Sequence, residues 1–220
     1  MSVFECARCN ALTYSASRAA NYRCETCGSP KARILEDQTF DTAVDVARTP
    51  RPRDHCGAVH YGPDAGAMLA APFIAEGLAC GDHVIAQLCS RVRGRLETLL
   101  APDVVAAVTW IDAEDAYGPG FEPDEAAARV RALAQASPRP LRLVGNLHAG
   151  VRDDISADTL RRYERLAQDV AIDHEITALC LYDAEILDEE YLEVCRDTHP
   201  LVARDEGLRR NPAFAWSPSC

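Results

Sequence analysis

The chain has 220 residues, a formal net charge of −11, 48% apolar and 26% charged side chains, an ordinary globular composition with room for one full domain and a small appendage. No apolar run reaches the roughly 20 residues that span a bilayer, and "MSVFECARCN" has neither the basic nor the apolar region of a signal peptide, so a cytoplasmic protein without membrane contact is expected. Residues 1–53 carry eight basic and six acidic groups, a balance of +2, against −13 for the rest; so acidic a body repels nucleic acid and disfavours it as the main target.

The first predicted elements are two cysteine turns. Cys6 and Cys9 in "ECARCN" and Cys24 and Cys27 in "RCETCGSP" form two C-x-x-C pairs with fourteen residues between them. Two residues between thiolates let one tight turn aim both sulfurs at one ion, and two such turns complete a tetrahedral site with Zn–S bonds of about 2.3 Å. Gly28, directly after the second pair, suits the positive φ such turns often need. Four thiolates close the coordination shell, so the zinc, one per chain, is structural. With short strands around "ALTYSA" and "NYRCE", residues 1–45 resemble a zinc ribbon whose small core depends on its metal to fold. Ribbons bind proteins or nucleic acids, and the spacing selects neither. "VARTPRPRD", residues 46–54, is a linker by its prolines and arginines.

From residue 55 onward apolar runs alternate with helical patterns. The predicted strands are residues 56–62, 83–88, 104–111, 141–147 and 176–183, and the predicted helices 69–79, 91–101, 123–137, 156–171 and 188–200. In the fourth helix Leu160, Tyr163, Ala167 and Val170 recur at helical spacing, with Ser156 as N-cap. Near-continuous apolar strands alternating with helices predict an α/β domain of three layers around a parallel sheet.

The start of this body, residues 60–88, has the strand–loop–helix–strand order of a P-loop unit, but the loop is disarmed. Counting from Gly62, Ala67, Met68 and Leu69 stand where G-K-[ST] should close on phosphate, neutralise it and hold Mg²⁺. Pro72 removes a backbone N–H and is expected to kink or delay the helix that should cap the phosphates. The strand at 141–147 offers Asn146 in place of a metal-binding Asp, and no acidic residue directly follows "HVIAQLCS" to act as base. These absences predict no NTP hydrolysis, while leaving open weak, metal-free binding of a nucleotide's base and sugar.

Four stretches, "DHCGAVHYG", "PFIAEGLACGDHVIAQL", "DAYGPGFEPDE" and "ALCLYDAEILDEEYLEVCRDTHPLV", are similar to the MEDS domain, the methanogen/methylotroph sensory domain also found in the regulator of dichloromethane dehalogenase. The resemblance spans about residues 54–215, nearly the whole body. It implies a RecA/KaiC-like fold that has lost ATPase function and serves as a sensor in signalling or transcription control. Such domains are often attached to helix-turn-helix, kinase-like or anti-sigma modules, whereas here the attached module is the ribbon. RecA-like strand order would place the first strand between the fourth and fifth, bringing Cys56 near Cys180.

Ligands of open α/β sheets bind beyond the carboxyl ends of the strands, where Tyr61, Asn146, His148, Tyr182 and Asp183 would rim a pocket. His55 and Cys56 fall toward the other end of the first strand. Each has a plainer reading as well. Cys56 and Cys180 fit inert buried hydrophobes, and His55 fits a strand-start backbone contact. Tyr61 and Tyr182 fit amphipathic residues at a sheet edge. Asp183 fits a turn or helix cap, and His199-Pro200 ends the last helix.

The function expected is a non-enzymatic sensor or regulator with a small-molecule ligand and a regulatory protein partner. The alternatives are a redox or metal sensor using His55, Cys56 and Cys180, which predicts a second metal equivalent, and a pure adaptor docking by its acidic face. A residual enzyme ranks last, since no nucleophile elbow, catalytic-metal spacing or paired carboxylates stand out.

Overall fold

A computed structural model describes residues 2–6, 8, 11–15, 23–24, 28–30, 32–35, 50–147, 155–204, 207–211 and 214. Near the N-terminus, β1 (Ser2–Cys6), β2 (Leu12–Ser15) and β3 (Ala32–Leu35) form an antiparallel sheet in the order β2-β1-β3.

The body runs β4 (His55–His60), α1 (Gly62–Ala79), β5 (His83–Leu88), α2 (Ser90–Leu99), α3 (Pro102–Ala107), β6 (Thr109–Asp112), α4 (Ala113–Tyr117) and α5 (Pro123–Ala136). It continues with β7 (Leu141–Leu147), α6 (Ala157–Asp173), β8 (Thr177–Asp183), α7 (Glu189–Thr198), β9 (Leu201–Arg204) and β10 (Gly207–Arg210). The strands make one seven-stranded sheet, β10-β9-β4-β8-β7-β5-β6, parallel except for the β9–β10 hairpin. Alternate residues of each strand feed opposite layers. Cys56, Ala58, Val84, Ala86, Val144, Leu179 and Leu181 pack with α1 and α2, while Ile85, Leu143, Ala178 and Tyr182 pack with α5, α6 and α7. The α/β class and the layered parallel sheet are as the sequence predicts.

Four expectations need correction. The strand expected at 104–111 is divided: Pro102 at the first helical position and Asp103 in the first turn start α3, and only Thr109–Asp112 is strand. Trp110 folds back on that helix, its Nε1–H donating to the Val105 carbonyl at 3.0 Å. Two further strands, β9 and β10, follow α7. The order also differs from the RecA pattern, because β8 lies between β7 and β4, so the first strand touches the fifth but not the fourth. Finally, α1 starts at Gly62 with Pro63 in its first turn and continues through Pro72, so residues 62–69, where a phosphate loop would lie, are helix. Proline's fixed φ suits a first turn, so Pro63 promotes the early start.

Around Phe73 and Ile74, the buried surface of α1 is built from small residues, Gly62, Gly66, Ala67, Ala70 and Gly77. A Cβ on Gly66 would lie 2.8 Å from the His60 ring, and one on Gly77 2.3 Å from Arg142 Cδ. Arg142 is buried in that gap, donating to Asp82 at 2.8 Å, to the Phe73 carbonyl at 3.1 Å and to Glu76 at 3.2 Å. It also lies over the Phe73 ring, 4.9 Å from its centroid.

Candidate functional site

The site is prepared by a row across the sheet. Gly57 on β4 and Gly145 on β7 both pair with Cys180 on β8, so the cysteine has a side-chain-free neighbour on either hand. The space over Gly57 is taken by α7, since a Cβ there would lie 2.6 Å from Cys195 Sγ and 2.8 Å from His199 Cγ. The space over Gly145 is taken by Tyr117, whose hydroxyl would lie 2.8 Å from a Cβ. Glycines thus let two elements approach the sheet closely around one thiol.

Over this row four polar side chains converge: His55 from the start of β4, Glu164 from α6, Cys180 from β8 and His199 just after α7. His55 Nε2 is 3.3 Å from Cys180 Sγ and 3.3 Å from Glu164 Oε2. His199 Nε2 is 3.6 Å from the same carboxylate oxygen, and Cys180 Sγ lies 3.8 Å from it. The two histidine rings sit 4.3 Å apart. His55 and Glu164 are 1% exposed and His199 0%, while Cys180 is half-buried.

Each group is also held from behind. Gln168 donates through Nε2 to the Arg8 carbonyl at 2.9 Å, which leaves its Oε1 to accept from His55 Nδ1 at 3.2 Å. His199 Nδ1 donates to the Cys195 carbonyl at 3.0 Å. Glu164 Oε1 accepts from the Tyr182 hydroxyl at 2.7 Å. Each histidine thus has an outer acceptor for its Nδ1–H and turns Nε2 inward, and His199 Nε2 has no hydrogen-bond partner.

Electrostatics follow from this packing. Burial would raise the Glu164 carboxyl, but His199, His55 and the Tyr182 hydroxyl outweigh it and hold it below its ordinary value. Burial, then neighbouring His55, lowers His199 to about 4 against the pull of Glu164. Burial, reinforced by Glu164, pushes the Cys180 thiol and the Tyr182 hydroxyl well up. The centre brings together a carboxylate, two imidazoles and a thiol. Beside it lies a cavity of about 20 Å³, lined by His55, Cys180, Tyr117, Tyr163 and apolar side chains, with room for about one water.

Of the residues singled out in the sequence, His55, Cys180 and Tyr182 meet here. Cys56 does not join them: it faces α1 on the other side of the sheet, beside Leu179. Tyr61 is 70% exposed before α1, and Asn146 is buried within β7. His148 lies outside the described residues, as do Cys9 and Cys27. Asp183 caps helix α1, its Oδ1 accepting from Gly62 N–H at 2.9 Å and from Glu185 N–H at 3.1 Å. Glu164 and His199 were not predicted. The signal for Glu164 was its position: with Gln168 it interrupts the buried stripe that begins at Leu160, at helical spacing.

At the N-terminus, Cys6 and Cys24 are buried against each other, Arg8 N–H points at Cys6 Sγ at 3.4 Å, and Gly28 takes φ +71°. The guanidinium of Arg8 pairs with Asp169 on α6, beside Gln168. One amide side chain, Gln168, thus touches both His55 and the N-terminal segment. Among the described residues no helix is long and apolar enough to cross a membrane.

No curated protein matches the chain. The model of the MEDS family, the methanogen/methylotroph, DcmR sensory domain, matches residues 54–200, a span that holds β4 through α7 and every member of the buried centre. With more than half of its length so matched, the chain belongs to the MEDS family of sensory domains.

Proposed function

We propose that this is a non-enzymatic regulatory protein whose MEDS domain senses a small ligand at the centre of His55, Glu164, Cys180 and His199, and whose N-terminal zinc ribbon passes the state to a protein partner. The observation that carries the reading is the centre itself. Burying a carboxylate with two imidazoles contributes little to stability and is the kind of arrangement found at functional sites. The adjoining cavity, with room for about one water, suits a ligand of one or two heavy atoms and is far too small for a nucleotide. Absence of phosphate chemistry is supported by Asp183, whose carboxylate already occupies the amide-rich start of α1, where a phosphate would be taken up. Cys6, Cys9, Cys24 and Cys27 would hold the ribbon's zinc, and the Cys6–Cys24 contact with the Arg8 N–H···Sγ bond fits such a turn. The Gln168 amide offers a route outward, since a shift of His55 pulls directly on the Arg8 backbone.

The test is made on the full chain. Thermal melts are recorded with MgATP and with a panel of ligands of about one or two heavy atoms, alongside an ATPase assay. The expected result is no turnover, no shift with MgATP, and a raised melting temperature with a panel member that Cys180→Ser abolishes. ATP turnover that Asp183→Asn removes would overturn the reading.

A further inference from the structure

The buried centre has the dimensions of a coordination tetrahedron. The edge of a regular tetrahedron is about 1.6 times the centre-to-corner distance, so bonds of about 2.0–2.3 Å to nitrogen, oxygen and sulfur require donor–donor edges of about 3.3–3.8 Å. The four edges among His55 Nε2, Glu164 Oε2, Cys180 Sγ and His199 Nε2 given by direct contacts are 3.3, 3.3, 3.6 and 3.8 Å. All four donor atoms lie within 4.8 Å of one another.

The hydrogen bonding turns one nitrogen of each imidazole outward and the other toward the Glu164 carboxylate. Gln168 and the Cys195 carbonyl take the outer Nδ1–H groups, so both Nε2 atoms are turned toward one carboxylate oxygen. His199 Nε2, fully buried, is left without a hydrogen bond. Outer partners on both imidazoles and on the carboxylate are the supporting shell that metal ligands need.

We propose that His55, Glu164, Cys180 and His199 bind one divalent transition cation of borderline softness, of the Zn²⁺, Co²⁺ or Fe²⁺ class. Imidazole and thiolate donors disfavour Mg²⁺ and Ca²⁺, which take oxygen. On binding, the Cys180 S–H bond gives its proton to solvent and the thiolate sulfur donates its electron pair to the ion. Thiolate and carboxylate then balance the dication, leaving a neutral unit suited to burial. Because His55 and Cys180 also line the cavity, a small ligand there would approach the ion directly. This deepens the sensory reading, yet the two can fail separately: a small-molecule response without a second metal would remove the cation alone.

The experiment is metal content and Co²⁺ titration of the full chain, with wild type, Cys180→Ser and His199→Gln purified anaerobically. Wild type is expected to hold one equivalent more than either variant, whatever the ribbon holds. Its Co²⁺ form should show the absorption of a mixed nitrogen–thiolate site, lost in Cys180→Ser. Equal metal content in all three proteins would overturn the proposal. Should the variants fail to fold, the wild-type titration decides. A Co²⁺ equivalent spectrally distinct from a four-thiolate site supports the proposal, and a four-thiolate spectrum alone refutes it.

Discussion

Replacing Gly57 by alanine tests how closely the sheet and α7 must approach to form the buried centre. The new methyl carbon would lie 2.6 Å from Cys195 Sγ and 2.8 Å from His199 Cγ. Carbon contacts relax near 3.5–4.0 Å, so the neighbours must retreat by roughly 1 Å. Neither can do so cheaply: Cys195 is 1% exposed, His199 is 0% exposed, and the imidazole is tied to the Cys195 carbonyl. Overpacking of this kind costs about 1–3 kcal/mol, which for a chain of this length lowers the melting temperature by about 2–12 °C. Thermal and urea unfolding of the full chain measure it. Gly94→Ala is the control: Gly94 is exposed within α2 with open space around it, and alanine there should stabilise by about 0.5–1 kcal/mol. If Gly57→Ala melts at or above the wild-type temperature, the proposed close packing of α7 on β4 is wrong.

Removing Asp82 by substitution with alanine deprives buried Arg142 of its shortest ion pair, at 2.8 Å, and is expected to destabilise by about 3 kcal/mol in urea unfolding. A loss under 1 kcal/mol would mean that Glu76 and the Phe73 carbonyl suffice. Asp183→Ala should lose the cap on α1, about 0.5–2 kcal/mol; sulfate should then raise the melting temperature of the variant more than that of wild type, and equal salt responses would count against the self-occupied helix start. Stability should also fall on acidification. Burial lowers His60 below its ordinary value, against the pull of Asp183, the Gly62 carbonyl and Glu185, so below about pH 6.5 the unfolded chain takes up a proton that the folded one resists. That stability is present in full above the unfolded value and fades as pH falls; His60→Gln should flatten the slope, and an unchanged slope would assign it elsewhere.

Much of the body was legible because its strands are apolar on both faces and its helices are not. What the sequence concealed has specific causes. "VVAAVTWI" is a short apolar run whose period does not separate helix from strand, and Pro102 decided it as helix. The strands "LVAR" and "GLRR" are short, half-polar segments at a sheet edge, without the apolar density of the central five. The centre was half visible. His55 and Cys180 stand out as chemistry on apolar strands, and Cys56 was grouped with them because strand adjacency does not reveal which face a side chain takes. Glu164 hides in a helix full of charged residues, where only its place on the buried stripe distinguishes it from its solvated neighbours. His199-Pro200 is indeed a helix end, and the same histidine serves the centre, so the two readings of one residue do not compete.

The hairpin after α7 governs where this domain can be cut. The family match stops at residue 200, yet β9 begins at Leu201 and pairs with β4 through Cys56↔Leu201 and Gly57↔Val202. A fragment trimmed to the match would open that flank of β4, an apolar strand whose unpaired backbone is a template for strands of other chains. It would also lose Asn211, whose side-chain amide donates to the Arg196 carbonyl at 2.6 Å and to the His199 carbonyl at 2.8 Å, fastening the end of α7. An expression fragment that keeps both the sheet and the histidine in place therefore has to run through Asn211.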